Sequence, residues 1–186
     1  FDFYDLKGTV ETLTRRLGLG DISFAPLEHP TFRSGATASL LLNGSEIGVL
    51  GEVETGVRQS FDLPAQPVCL AELDLEALLL AVEPVRQLQP LPRFPSVTQD
   101  MSLVLPEEVP AQEVEDAIRK SGGRLLVGVD LFDVYRGEPI PAGRKSLAYS
   151  LTYRHEERTL TDKEVSKVHS RIASQLSKQL GAELRE

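Results

Sequence analysis

One cysteine, one methionine and no membrane-length apolar run set the first limits on this chain of 186 residues. With Cys69 alone, neither an internal disulfide nor a multi-cysteine zinc site can form. The longest apolar stretch, 75–82, is interrupted by Glu76 and falls well short of the roughly 20 residues that a helix needs to span a bilayer. A basic-then-apolar leader is missing too, so the expectation is a cytoplasmic location without a membrane. His29, His155 and His169 are scattered, with no HxxxH or HExxH spacing. Gly18-Leu19-Gly20 lacks the further glycine and the Lys-Ser/Thr of a phosphate loop, and Ser34 lacks a GxSxG context. Neither a catalytic residue nor a metal site is therefore expected in this chain.

Excess positive charge is also missing. The net charge of −8 argues against nucleic acid, because phosphate binding draws on Lys and Arg that release counterions. Its distribution weakens that objection. Residues 1–90 hold 6 Lys+Arg against 13 Asp+Glu, whereas from Arg119 onward 13 basic residues face 9 acidic ones. The C-terminal part is locally basic, which allows RNA without requiring it.

What is present is enough hydrophobic content, 41%, for one large domain or two small ones. The chain opens with Phe1-Asp2-Phe3 directly into the helical pattern Phe3, Leu6, Val10, Leu13, Leu17, and the expectation is a piece of a longer protein. Pro84, Pro90, Pro92 and Pro95 predict a linker over 82–97, with units at 1–90 and 91–186. Ahead of the linker, spacing predicts a helix over 3–16 ended by Gly18, a strand over 21–24, and a hairpin of 36–42 with 46–53 around Asn43-Gly44. A short helix over 55–61, a strand over 68–73 and a helix over 75–82 complete a mixed α/β piece.

Past the linker the order is strand 100–105, helix 110–121, strand 125–135, strand 146–154, helix 161–180 and a short strand over 182–185. Thr161 and Glu164 form a capping-box signature. This β-α-β-β-α-β order predicts an α+β fold, the split ferredoxin-like plait, with both helices on one sheet face. Strand parity then sorts the side chains. Met101, Leu103, Leu105, Phe132, Val134, Leu147, Tyr149, Leu151 and Tyr153 should pack beneath the helices. Asp100, Ser102, Asp133, Tyr135, Ser146, Ala148, Ser150, Thr152 and Arg154 should face outward. An aromatic, hydroxyls and a guanidinium on an open sheet suit single-stranded RNA. The same face could equally be solvated or covered by another domain, which keeps a protein-interaction or regulatory plait as the alternative.

The segments FDFYDLKGTVETLTRRLG, HPTFRSGATASLLLNGSEIGVLGEVE, FPSVTQDMSLVLP, VDLFDVYRGEPIPAGRKSLAYSLTYRHEERTLTDKEV and GAELR together resemble the C-terminal part of the bacterial phenylalanyl-tRNA synthetase β subunit family. The resemblance implies that residues 1–90 are the end of a class II synthetase-like domain without catalysis, and 91–186 a ferredoxin-fold anticodon-binding domain. It implies a phenylalanine tRNA anticodon stem-loop and a synthetase α subunit as partners in an (αβ)₂ heterotetramer. ATP and magnesium would serve the holoenzyme in the α subunit, with no cofactor in this piece. Within that pattern Asp133, Tyr135 and Ser146 match positions that contact the anticodon's first base, a guanine. Arg144, Lys145 and Arg154 are expected phosphate partners by charge and place. Two departures stand out. Gln99 replaces an arginine common before Asp100, and Glu52-Val53-Glu54-Thr55 stands where relatives usually carry His-Pro.

Overall fold

The computed structural model describes residues 1–20, 22–82 and 91–185. The chain divides into two units, Phe1–Leu88 and Gln89–Glu186. Most of the linker expected over 82–97 lies at 83–90, outside the described residues, as does Asp21 at the head of the first expected strand.

The first unit begins with α1 (Phe3–Leu17). Asp2 caps it by accepting from the Tyr4 and Asp5 amides at 2.7 and 3.2 Å, and Gly18 stops it in the left-handed region at φ 72°. A four-stranded antiparallel sheet follows in the order β1 (Ile22–Pro26), β2 (Phe32–Leu42), β3 (Ser45–Val53), β4 (Cys69–Leu73). Asn43 and Gly44, both at positive φ, turn β2 into β3. Strand β2 starts earlier than expected, at Phe32, and its register slips between Phe32 and Thr37. Phe32 lies so close over Gly51 that a Cβ there would meet its Cγ at 2.6 Å, so β3 needs glycine at this crossing. Helices α2 (Thr55–Ser60) and α3 (Leu75–Ala81) flank β4. Val10, Leu40, Leu50 and Leu78 sit in the core with Ile47. The Glu52–Thr55 departure has a local structural use: Glu52 pairs with Arg33 at 2.8 Å, and Glu54 caps α2.

The second unit has the plait order expected of it. Strand β5 (Val97–Pro106) leads to α4 (Ala111–Gly122), a single 3₁₀ turn (Gly123–Leu125) and β6 (Leu126–Tyr135). Then come β7 (Arg144–Tyr153), α5 (Asp162–Leu180) and β8 (Glu183–Arg185). All pairings are antiparallel in the order β6-β7-β5-β8, which leaves β6 and β8 as edges. The core joins Met101, Leu103 and Leu105 to Leu147, Tyr149, Leu151 and Tyr153 beneath Val114 and Ile118 of α4 and Val165, Val168, Ile172 and Leu176 of α5. Glu164 accepts from the Thr161 amide and hydroxyl at 3.0 and 2.8 Å and from the Arg158 guanidinium, which holds its carboxyl far below the usual carboxylate range. Arg171 reaches from α5 to the Gly122 carbonyl at 3.0 Å and satisfies an end group of α4.

Two packing expectations fail. Phe132 is 58% exposed instead of buried beneath the helices. The pairs Leu131↔Tyr149 and Asp133↔Ala148 leave Phe132 as an extra residue, a β-bulge in an edge strand. The bulge resets the alternation, so Val129, and not a residue of the opposite parity, fills the core earlier in β6. Val134 does pair with Leu147 on the helix side, yet it stays 42% exposed at the sheet edge. None of the helices among the described residues is long and apolar enough to cross a membrane.

Candidate nucleic-acid interface

Residues opposite one another in an antiparallel pair share a face, so the register maps the helix-free side of the second sheet row by row. The first row is Tyr135–Ser146–Val104–Glu183, and the next is Asp133–Ala148–Ser102–Arg185. Beyond them lie Asp130–Ser150–Asp100 and Gly128–Thr152–Thr98. Every outward residue expected in β5, β6 and β7 is on this side. The two rows nearest the 136–143 loop hold the aromatic, the hydroxyl and the arginine. The third row sets two carboxylates on either side of a hydroxyl.

Asp133, Tyr135 and Ser146 are brought together. Tyr135 and Ser146 are direct cross-strand partners, and Asp133 sits two residues back on the same face. Tyr135 is 41% exposed, and its hydroxyl donates to the Glu138 carbonyl at 2.6 Å. That bond leaves the ring face as the part of Tyr135 on offer. Ser146 and Ala148 are only 5% and 8% exposed, because small side chains on an inner strand sit below their larger neighbours. They form the floor of a shallow strip whose rim is Tyr135 and Asp133. The Ser146 side chain makes no hydrogen bond within the described residues, so its Oγ is uncommitted at that floor.

The three expected phosphate partners fare differently. Lys145 is 8% exposed, pairs with Leu105 on the helix side, and donates from Nζ to the Glu107 carbonyl at 2.7 Å. It therefore lies away from Ser146, with its ammonium already satisfied. Arg144 is on the open side, but its guanidinium is spent on Glu183 Oε1 at 2.6 Å and on the Val104 and Gly181 carbonyls, each at 3.1 Å. It fastens β8 to the sheet. Arg154 follows the end of β7, half-buried, and has no side-chain partner among the described residues. Gln99 pairs with Leu151 on the helix side, so an open-face contact does not arise at that position.

Two residues escaped the parity argument. Arg185, exposed in β8 opposite Ser102, adds a cation to the open face. Its signal is the alternation of the terminal strand, which is only 3 residues long. Phe132 was hidden by the bulge. Elsewhere, His169 Nδ1 lies 3.1 Å from the Tyr153 hydroxyl, and burial pushes the imidazole down and the phenol up to about 12. Burial likewise pushes the Cys69 thiol up. Both belong to packing and not to the open face.

Comparison with known proteins gives a consistent outcome. Residues 92–185 match the model of the ferredoxin-fold anticodon binding domain, and residues 1–75 match that of the phenylalanyl tRNA synthetase beta chain CLM domain. The chain is 46% identical over 184 residues to the phenylalanine–tRNA ligase beta subunit of Symbiobacterium thermophilum, covering 99% of this chain and 20% of that protein. It is 43% identical over 185 residues to that of Clostridium acetobutylicum, covering 99% and 23%, and 44% identical over 186 residues to that of Moorella thermoacetica, covering 100% and 23%. The chain thus spans about a quarter of the length of the curated relatives it matches, or somewhat less.

Proposed function

Because the chain belongs to the ferredoxin-fold anticodon binding domain family, we propose that its second unit holds the anticodon stem-loop of a phenylalanine tRNA on the open sheet face. The observation that carries this reading is the row pairing that sets Tyr135 against Ser146 with Asp133 alongside. A guanine stacked on the Tyr135 ring would turn its N1–H and N2–H toward the Asp133 carboxylate, which ionised can only accept. Ser146 Oγ, uncommitted at the floor, would complete the base-edge contact. Arg154 and Arg185 would take phosphates, while Arg144 and Lys145 are occupied inside the fold.

The first unit, from its similarity to the synthetase beta-chain domain, would serve as scaffold within a phenylalanine–tRNA ligase β subunit in the cytoplasm, with an α subunit as partner in an (αβ)₂ assembly. Catalysis with ATP and magnesium would belong to that α subunit. Among the described residues there is no group of three or more His, Cys, Asp or Glu placed to hold a metal ion.

The test is a titration of labelled phenylalanine-type anticodon stem-loop against the protein, with a scrambled anticodon as control. Binding should be selective for the first anticodon base and should weaken as salt rises. Equal affinity for any hairpin would return the face to the alternative of a protein-binding plait.

A further inference from the structure

The register slip between Leu131 and Asp133 puts an aromatic ring where alternation would have buried it. Phe132 is 58% exposed, belongs to no cross-strand pair, and stands on the free edge of the sheet between the floor strand β7 and solvent. It precedes Asp133 directly and Tyr135 by three residues. We propose that Phe132 is a second stacking platform, which takes the nucleotide next to the one held by Asp133, Tyr135 and Ser146. This rests on the RNA reading above and deepens it.

Three observations favour a nucleobase over other occupants. An exposed edge strand invites a β-strand from another polypeptide, but a bulge interrupts the ladder of N–H and C=O groups that such a strand would need. Asp130 and Asp133 flank the bulge on the same strand and further discourage edge-to-edge pairing. A base, by contrast, needs only a ring face and no backbone register. Finally, Phe132 and Tyr135 stand three residues apart on one strand with Asp133 between them, so two unpaired nucleotides in succession would each meet an aromatic, with a carboxylate between them that accepts from base edges. A bulge that merely relieved strain would be served as well by a polar side chain, without the cost of showing a phenylalanine to water.

The experiment compares Phe132→Leu, Phe132→Ala, Phe132→Trp and Tyr135→Ala in the complete protein that carries this chain. Its probe is a labelled phenylalanine-type anticodon stem-loop, intact or abasic at single loop positions. Phe132→Leu keeps the apolar bulk without a π face, so it separates stacking from folding, and thermal melting checks each variant. The expected result is a loss of affinity of roughly 5- to 100-fold for Phe132→Leu and Phe132→Ala, with Phe132→Trp retained. With one abasic position beside the first anticodon base, the loss from Phe132→Leu should vanish, because ring and base are two halves of one contact. Wild-type affinity in Phe132→Leu with weakened Tyr135→Ala overturns the inference and leaves the RNA reading standing. Unchanged affinity in both variants overturns both. A Phe132→Leu loss that persists equally at every abasic position also overturns it, and assigns Phe132 a structural role.

Discussion

At the scale of single residues, Tyr135 shows how a neighbour decides what a side chain offers. Its hydroxyl is tied to the Glu138 carbonyl, so the ring is pinned rather than free to swing. Tyr135→Ala should therefore cost about 1–3 kcal/mol of stem-loop binding, measured by titration. Tyr135→Phe should keep the stack but loosen it, giving a smaller loss, with no change in preference for the first anticodon base. His169 makes a separate case. Burial lowers its folded pKa below the ordinary histidine value of about 6.5, so the unfolded chain binds more protons as pH falls through that value. The neutral ring beside Tyr153 contributes fully above that range, and its contribution is lost on acidification. The melting temperature should drop between pH 7.5 and pH 5.5, and His169→Gln should flatten that drop in a paired melting series. Glu164 acts at lower pH: its lowered carboxyl pKa stabilises the fold above the ordinary carboxylate value and less below it.

Elements were legible where one pattern met one environment. The Asn43-Gly44 hairpin, the capping signature Thr161/Glu164 and the stripe Val165, Val168, Ile172, Leu176 each announce themselves, because local chemistry and burial agree. The parity of β7 was legible for the same reason, and with it the grouping of Tyr135 and Ser146. The bulge in β6 was not, since LFDV alternates acceptably in either register and only pairing with Tyr149 and Ala148 decides. Nor were the fates of Arg144 and Lys145, whose partners lie 37–40 residues away in sequence. A long cation after a glycine reads as a surface group until the fold supplies carbonyls for it. Arg144 supports an expectation at this scale. Arg144→Ala should fray β8, destabilise the protein by about 1–3 kcal/mol in denaturant melts and speed hydrogen exchange at 183–185. Arg144→Lys should recover only part of that, as one ammonium cannot replace a fork that meets three acceptors. In the first unit, Gly51→Ala should cost about 1–3 kcal/mol, because Phe32 occupies the space a methyl needs.

For the whole molecule, charge is the property that matters most. A chain of net −8 that carries its cations toward the C-terminus repels nucleic acid at long range and, on the proposed reading, would admit it at one place. Raising salt should therefore act in two directions, screening the general repulsion while releasing fewer counterions at the contact itself. The dependence of log affinity on log salt should be modest, near −0.7 for each phosphate contacted by a single strand, so two contacts at Arg154 and Arg185 predict a slope of roughly −1.4. A much steeper slope would mean that more phosphates are held than those two.

The Asp130–Ser150–Asp100 row gives the open face a boundary. A phosphate laid about 5 Å from either carboxylate would meet roughly 0.8 kcal/mol of repulsion even in water, and the row sets one on each side of Ser150. A strand that runs from Tyr135 toward Arg154 must therefore turn its phosphates away from the surface where it passes Ser150. On the proposed reading, that row would hold the backbone off the sheet and let only bases approach it.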